Sequence, residues 1–249
     1  MILAHESHGD GPDVSFVHGF TQTRASWLPV VGRMDGFRCT LVDAPGHGGS
    51  ANGTRTLAQA GDDIAETMPT GALVGYSMGA RMALHTALAH PGKVQSLVLV
   101  SGTPGLTSEA ERSARRASDA ALADRIEAIG VPAFVDEWLA NPMFAGLTGE
   151  MSMRAARLTN SARGLADSLR NCGTGTQDDL WPAIGGLSMP VLLVCGSLDT
   201  KFTAIARQMH ASIPGSGLHV VEGAGHTVHL ERTDEFVSLL SGWLATTGR

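Results

Sequence analysis

The chain is expected to be an α/β protein with a mostly parallel sheet flanked by helices. Three observations predict this. Short β-branched runs alternate with helical stretches in the first half, and the same alternation returns near the C-terminus. The runs are also apolar throughout rather than at every second residue, as strands buried on both faces require.

Strands are predicted at 13–18, 38–43, 71–76 and 94–100, with helices at 26–33, 57–68 and 78–89 between them. Strands at 190–195 and 218–221 and helices at 203–213 and 233–244 complete the pattern. The stretch 106–187 has no β-branched run and reads as several short helices. Ser108-Glu109-Ala110-Glu111 has the serine and glutamate of a capping box, so a helix starts there and runs to about residue 129. Gly130-Val131-Pro132 stops it, Asn141-Pro142 breaks the next one, and Cys172-Gly173 ends another. An all-helical insert between two βα halves suits a cap over a site, or else a second packed helical layer with no lid role. The expected division is a core of residues 1–105 and 188–249 with a cap of residues 106–187. No internal repeat, low-complexity tract or linker divides the chain further.

Composition narrows the function. A length of 249 residues suits one α/β unit with a sizeable core, and 31 glycines suggest many tight strand-to-helix turns. A net charge of −6 offers no general attraction for nucleic acid or anionic membranes, and no nucleic-acid motif is present. Cys39, Cys172 and Cys195 are too few and too odd in number for a disulfide framework; they suit a reducing compartment. No signal peptide or membrane span is expected, so the location expected is cytoplasmic. Asn52-Gly53-Thr54 matches a glycosylation sequon but reads as a turn.

The chemistry is expected at Gly75-Tyr76-Ser77-Met78-Gly79, which follows a predicted strand and opens a predicted helix. That context is the nucleophile elbow of the α/β-hydrolase fold: small neighbours let strand and helix approach, and Ser77 stands above the sheet at a helix N-terminus. A serine needs a base and the base an orienting carboxylate, in the chain order Ser, acid, His. Asp199, after the strand at 190–195, and His226, after the strand at 218–221, fit both order and strand ends. Taken singly, Asp199 also reads as a helix N-cap and His226 as a surface histidine. His18-Gly19-Phe20 follows the first strand, so the backbone N–H groups of Phe20 and Met78 are the expected oxyanion hole. His47, in Pro45-Gly46-His47-Gly48-Gly49-Ser50, reads as structural.

Arg81 lies one helical turn after Ser77, within reach of a bound ligand, where a permanent cation suits a carboxylate substrate. Arg112, Arg115, Arg116, Arg154, Arg157, Arg163 and Arg170 lie in the cap. Most should form solvated pairs such as Arg115–Asp119 and Arg112–Glu109, with no more than two or three facing the pocket.

Several segments are shared with one family: Pro45-Gly46-His47-Gly48-Gly49-Ser50, the elbow through Ala80-Arg81, Pro104-Gly105-Leu106, and Glu111-Arg112 with Arg115 and Asp119. Trp138 with Pro142 and Phe144, Arg157 with Asn160, Gly173-Thr174-Gly175 with Gln177, Asp199 with Lys201-Phe202, and Ala224-Gly225-His226 extend the match over nearly the whole length. The sequence thereby resembles the 2-succinyl-6-hydroxy-2,4-cyclohexadiene-1-carboxylate synthases, lyases of menaquinone biosynthesis. The resemblance implies the α/β-hydrolase fold with a helical cap inserted after the sixth strand. It also implies elimination of pyruvate from a tricarboxylate, with Ser77, activated by His226 and Asp199, handling a ring proton. Arg81, Arg115 and Arg157 then match the carboxylate-binding arginines, and Trp138 and Tyr76 the pocket residues. Two positions depart from the family: Leu139 where some relatives have a second aromatic, and Glu231-Arg232-Thr233 without the frequent proline.

No cofactor is expected and no metal, since His226-x-x-His229 is too short a pair and no H-E-x-x-H occurs. The expected partner is a small polycarboxylate, with no nucleic acid and no membrane insertion. The alternative is a serine hydrolase of a carboxylated ester, thioester or C–C bond substrate. A binding protein without chemistry would need a degraded Ser77/Asp199/His226 set.

Overall fold

The six apolar runs and one polar edge strand pair into a single sheet of seven strands among the described residues, in the order β1-β3-β2-β4-β5-β6-β7. A computed structural model describes residues 1–51 and 53–247, so Asn52 of the Asn52-Gly53-Thr54 triplet lies outside the described residues. The strands are β1 His5–His8, β2 Asp13–Val17, β3 Arg38–Val42, β4 Gly71–Tyr76, β5 Val94–Val100, β6 Val191–Gly196 and β7 Gly217–Val221. All neighbours are parallel except β1, which runs antiparallel to β3. The helices are α1 Leu28–Val31, α2 Leu57–Thr67, α3 Met78–Ala89, α4 Glu109–Leu139, α5 Arg154–Arg157, α6 Ala162–Cys172, α7 Thr200–Ser212, α8 Val228–Glu231 and α9 Thr233–Thr247. None of the described helices is long and apolar enough to cross a membrane.

Residue alternation along the central strands fills both faces of the sheet. Leu73, Leu97, Leu99 and Leu193 meet Met82 and Leu84 in one apolar layer. Val74, Val98, Val100 and Val194 meet Trp27, Phe236 and Leu240 in the other. Helices cover both layers, which is why these strands carry no polar face.

The chain order sets the position of the cleft. From β2 the chain goes to β3 on one side, then crosses to β4 on the other. The C-terminal ends of β2 and β4 therefore lie side by side with their connections leaving in opposite directions. A ligand crevice opens at such a switch point.

Four local expectations are corrected. The helical insert follows the fifth strand in chain order, not the sixth, because only one strand precedes Asp13–Val17 among the described residues. The Ser108 hydroxyl accepts from Glu111 N–H at 3.4 Å, but the reciprocal box occurs at Thr56 and Gln59, where both return bonds form. The stretch predicted as one helix at 26–33 is a 3-10 turn, Arg24–Trp27, followed by α1. The chain also does not leave its helix for long at Gly130: φ of 77° kinks α4, and Pro132 is tolerated in the first turn of the segment beyond. The insert has its own apolar contacts, with Ile126 and Phe134 of α4 against Leu165 and Leu169 of α6. Asn160 ties it to the sheet ends: its Nδ2 donates to Thr21 O at 2.7 Å, and its Oδ1 accepts from Gly48 N–H at 2.9 Å.

Candidate active site

Ser77 joins β4 to α3 with φ 53° and ψ −107°, a conformation strained for any residue with a Cβ. The flanking glycines let the turn close. A Cβ on Gly75 would lie 2.4 Å from Gly79 O, and one on Gly79 would lie 2.2 Å from Val17 O. Because backbone blocks that space, Gly79→Ala should cost on the order of 1–3 kcal/mol of stability. Thermal unfolding checks this, and an unchanged Tm would show that β2 and α3 yield freely.

The hydroxyl meets its base directly. His226 Nε2 lies 3.0 Å from Ser77 Oγ, and His226 Nδ1 lies 2.6 Å from Asp199 Oδ2. Nδ1–H donates to the carboxylate, which leaves Nε2 to accept the serine proton. Asp199 also caps α7, its Oδ1 accepting from Phe202 N–H at 3.2 Å, so the two sequence readings of this residue hold together. Glu231 braces the His226 loop from both sides. Its Oε2 accepts from Gly225 N–H at 2.7 Å and its Oε1 from Thr227 N–H at 2.9 Å.

Peptide geometry leaves the expected Phe20 and Met78 N–H groups outside the local ladders. Gly19 O accepts from His18 Nδ1–H at 2.8 Å and from Gln22 N–H at 3.1 Å. A trans peptide points its N–H opposite its carbonyl, so the Phe20 N–H faces away from these donors. Met78 is the first residue of α3, and its N–H lies outside the helix ladder. Phe20, Met78 and Ser77 line one cleft of about 260 Å³.

That cleft is cationic. Arg81, Arg115, Arg157 and Lys201 line it, and no aspartate or glutamate does among the described residues. Arg81 is 8% exposed and donates to Cys172 O at 2.7 Å; burial pushes its guanidinium down to about 10. Arg157 is 1% exposed, donates to Ser152 O at 2.8 Å and to Thr21 Oγ1, and is likewise pushed down to about 10 by burial. Arg115 is half-buried and pairs with Asp119 at 2.7 Å. Trp138 meets Phe20 edge-on at 5.2 Å, and Tyr76 is buried with its hydroxyl 2.9 Å from Thr227 Oγ1. The remaining arginines of residues 106–187 form surface pairs: Arg112 and Arg116 with Glu109, Arg125 with Glu137, Arg154 with Asp136, Arg163 with Asp167, and Arg170 with Asp124 and Glu127. No cluster of three or more metal-ligating side chains occurs among the described residues.

The sequence-predicted residues thus gather around one cleft, with Asp199 behind His226. Sequence reasoning passed over Gln22, Lys201, Phe202 and Glu231 as site residues. Only Lys201 carried a usable signal, being a cation in the first turn of α7, where the helix dipole disfavours one.

Two buried histidines beneath the site are structural. His47 Nε2 accepts from Thr21 N–H at 3.3 Å, and its Nδ1–H donates to Pro45 O at 3.1 Å. His229 stacks on Trp27 at 4.3 Å and has no hydrogen-bond partner for either ring nitrogen among the described residues. Burial drives His47 down to about 3 and His229 well below the ordinary value. Both therefore gain their protons only on unfolding. Their contribution is complete above the unfolded-state pKa of about 6.5 and is lost as pH falls below it. At about 1.4 kcal/mol per pH unit for each, the two should remove about 4 kcal/mol of stability at pH 5. Urea unfolding at pH 7 and pH 5 checks this, and an unchanged midpoint would contradict it.

Known proteins share this arrangement. Residues 16–239 match the Alpha/beta hydrolase family. The chain is 37% identical to a Bacillus subtilis (strain 168) protein provisionally named 2-succinyl-6-hydroxy-2,4-cyclohexadiene-1-carboxylate synthase, over 95% of this chain and 93% of the relative. It is 32% identical to the synthase of that name from Salmonella paratyphi C (strain RKS4594), over 96% of this chain and 98% of the relative. The solved structure of MenH from S. aureus superposes with a TM-score of 0.90 at 29% identity, covering 98% of this chain and 99% of that one. A thermophilic esterase from Thermogutta terrifontis shares the fold alone, with a TM-score of 0.81 at 23% identity over 98% of this chain and 93% of its own. The chain belongs to the alpha/beta hydrolase family and, within it, to the 2-succinyl-6-hydroxy-2,4-cyclohexadiene-1-carboxylate synthases.

Proposed function

We propose that this enzyme eliminates pyruvate from 2-succinyl-5-enolpyruvyl-6-hydroxy-3-cyclohexene-1-carboxylate to give 2-succinyl-6-hydroxy-2,4-cyclohexadiene-1-carboxylate in menaquinone biosynthesis. One observation carries the reading: four cations and no carboxylate line a cleft that opens on a serine–histidine–aspartate relay. The chain as a whole has a net charge of −6, so the cationic lining is local. The substrate has three carboxylates, whose desolvation only a cationic pocket offsets.

The ring C2–H lies α to the succinyl ketone and is the acidic position. His226 takes the Ser77 proton, and Ser77 Oγ takes the C2 proton, while Asp199 stabilises the imidazolium. The C–H electron pair develops as an enolate on the ketone oxygen, facing the Phe20 and Met78 N–H groups. It then forms the C2=C3 bond, the C3=C4 pair moves to C4=C5, and the C5–O bond breaks. Pyruvate leaves as its enolate and takes up a proton. Arg81, Arg115 and Arg157 hold the carboxylates, and Trp138 and Tyr76 wall the ring.

Residues 106–187 serve in this reading as the cap, supplying Arg115, Trp138 and Arg157, and residues 1–105 and 188–249 as the core. A cytoplasmic location fits three cysteines that are all buried and unpaired. The test supplies the enolpyruvyl substrate and follows pyruvate by coupled lactate dehydrogenase, alongside absorbance of the conjugated diene. Rapid cleavage of small esters with no pyruvate release would favour a hydrolase instead.

A further inference from the structure

Gln22 is a buried polar side chain in the cleft without a role in this mechanism. It is 1% exposed and lines the cleft together with Phe20 and Ser77. One end of its amide is tied down: Oε1 accepts from Gly19 N–H at 3.0 Å and from the Ser26 hydroxyl at 3.4 Å. An N–H donor requires an acceptor opposite, so hydrogen-bond chemistry decides which end of the amide is oxygen. The NH₂ end then has no acceptor among the described residues. A buried donor left unpaired costs stability, which a fold tolerates where a ligand supplies the acceptor.

The position is informative. Gln22 N–H closes a turn on Gly19 O, and Gln22 Oε1 holds Gly19 N–H, so the side chain and backbone of one residue clasp both edges of Gly19. The next N–H along the chain is that of Phe20. The free amide and the Phe20 donor thus issue from the same short loop, and both are neutral. Neutral donors suit an oxygen whose charge develops only during reaction, whereas permanent carboxylates draw the cations.

We propose that Gln22 Nε2 is a third donor of the oxyanion hole, hydrogen-bonding the succinyl ketone oxygen as enolate character builds. The proposal rests on the elimination reading above. It adds no covalent step: the oxygen gains charge when the C2–H pair delocalises and returns it when the C5–O bond breaks.

Two variants separate this role from a structural one. Gln22→Glu keeps an acceptor for Gly19 N–H but replaces the donor with a carboxylate oxygen. Gln22→Met loses both. Gln22→Glu should lower kcat for pyruvate release, at saturating substrate, about 100-fold, the effect of removing one oxyanion donor, and should lower the Tm as well, because its carboxylate is buried without a counter-charge. Gln22→Met should also lose kcat, and its Tm should drop because Gly19 N–H loses its partner. A Gln22→Glu kcat close to the parent value would overturn the proposal, since the acceptor alone would then matter. A Gln22→Met enzyme that changes KM only would overturn it too, by assigning the amide to ground-state binding. If the parent itself releases no pyruvate, the elimination reading fails separately. The same two variants are then compared on p-nitrophenyl acetate, whose tetrahedral oxyanion would occupy the same hole.

Discussion

Replacing Ser77 with alanine should lower kcat for pyruvate release by at least about 1,000-fold while leaving KM and Tm close to the parent values. Ser77 Oγ stands at the cleft end of the relay, with His226 Nε2 3.0 Å behind it. Without it, the imidazole stands one atom too far from the ring C–H, and the positioned base is lost. Alanine has the same Cβ as serine, so it meets the φ of 53° at no added steric cost, and the elbow should stay folded. KM should persist because the carboxylates are held by arginines and not by the hydroxyl. Steady-state kinetics with circular dichroism and thermal unfolding makes the check. A Ser77→Ala enzyme retaining a tenth of parent kcat would show that His226 abstracts the proton directly. Asp199→Asn offers a second reading of the same relay, because Nδ1–H would lose its charged acceptor at 2.6 Å and the imidazolium its counter-charge.

What was legible in the sequence follows from where a residue's environment writes a pattern. Strands such as Gly71–Tyr76 and Val94–Val100 are buried on both faces and had to be apolar throughout, so they could be read directly. His5–His8 pairs at the sheet edge, where neither face is buried; its four polar residues leave no trace of a strand. The elbow was legible because two backbone approaches admit only glycine, and the relay because its members stand at strand ends in a fixed order. Glu231 and Gln22 act through one or two hydrogen bonds to loop N–H groups, which any chain position can reach once folded. No spacing rule records such contacts. The arginines were legible as a group but not individually. Arg112 and Arg115 lie three residues apart on α4, yet only Arg115 reaches the cleft, a matter of helix phase and of the acids nearby.

Arg81→Met is expected to move affinity and stability in opposite directions. The Arg81 guanidinium is buried, and among the described residues its one hydrogen bond is to Cys172 O and no carboxylate lines the cleft beside it. Burial pushes it down to about 10, the mark of a cation held where its charge is poorly solvated. Methionine fills similar space without charge, and replacing a buried ionic group by an apolar one of similar volume is often stabilising by about 1–4 kcal/mol. The Cys172 carbonyl loses a donor, which returns about 1 kcal/mol of that gain. The tricarboxylate, however, loses a charge-assisted and desolvated contact, and truncating one partner of such a pair costs about 2–5 kcal/mol. The kcat/KM for pyruvate release should therefore fall about 100-fold or more while the ligand-free Tm rises. Arg81→Lys should recover only part of the loss, because an ammonium cannot present a planar fork to a carboxylate. If Arg81→Met lowered the Tm and left kcat/KM intact, Arg81 would be a structural cation and the cleft would need another account of its charge. If both rose or both fell, the strain inferred from burial and the recognition inferred from position could not both hold.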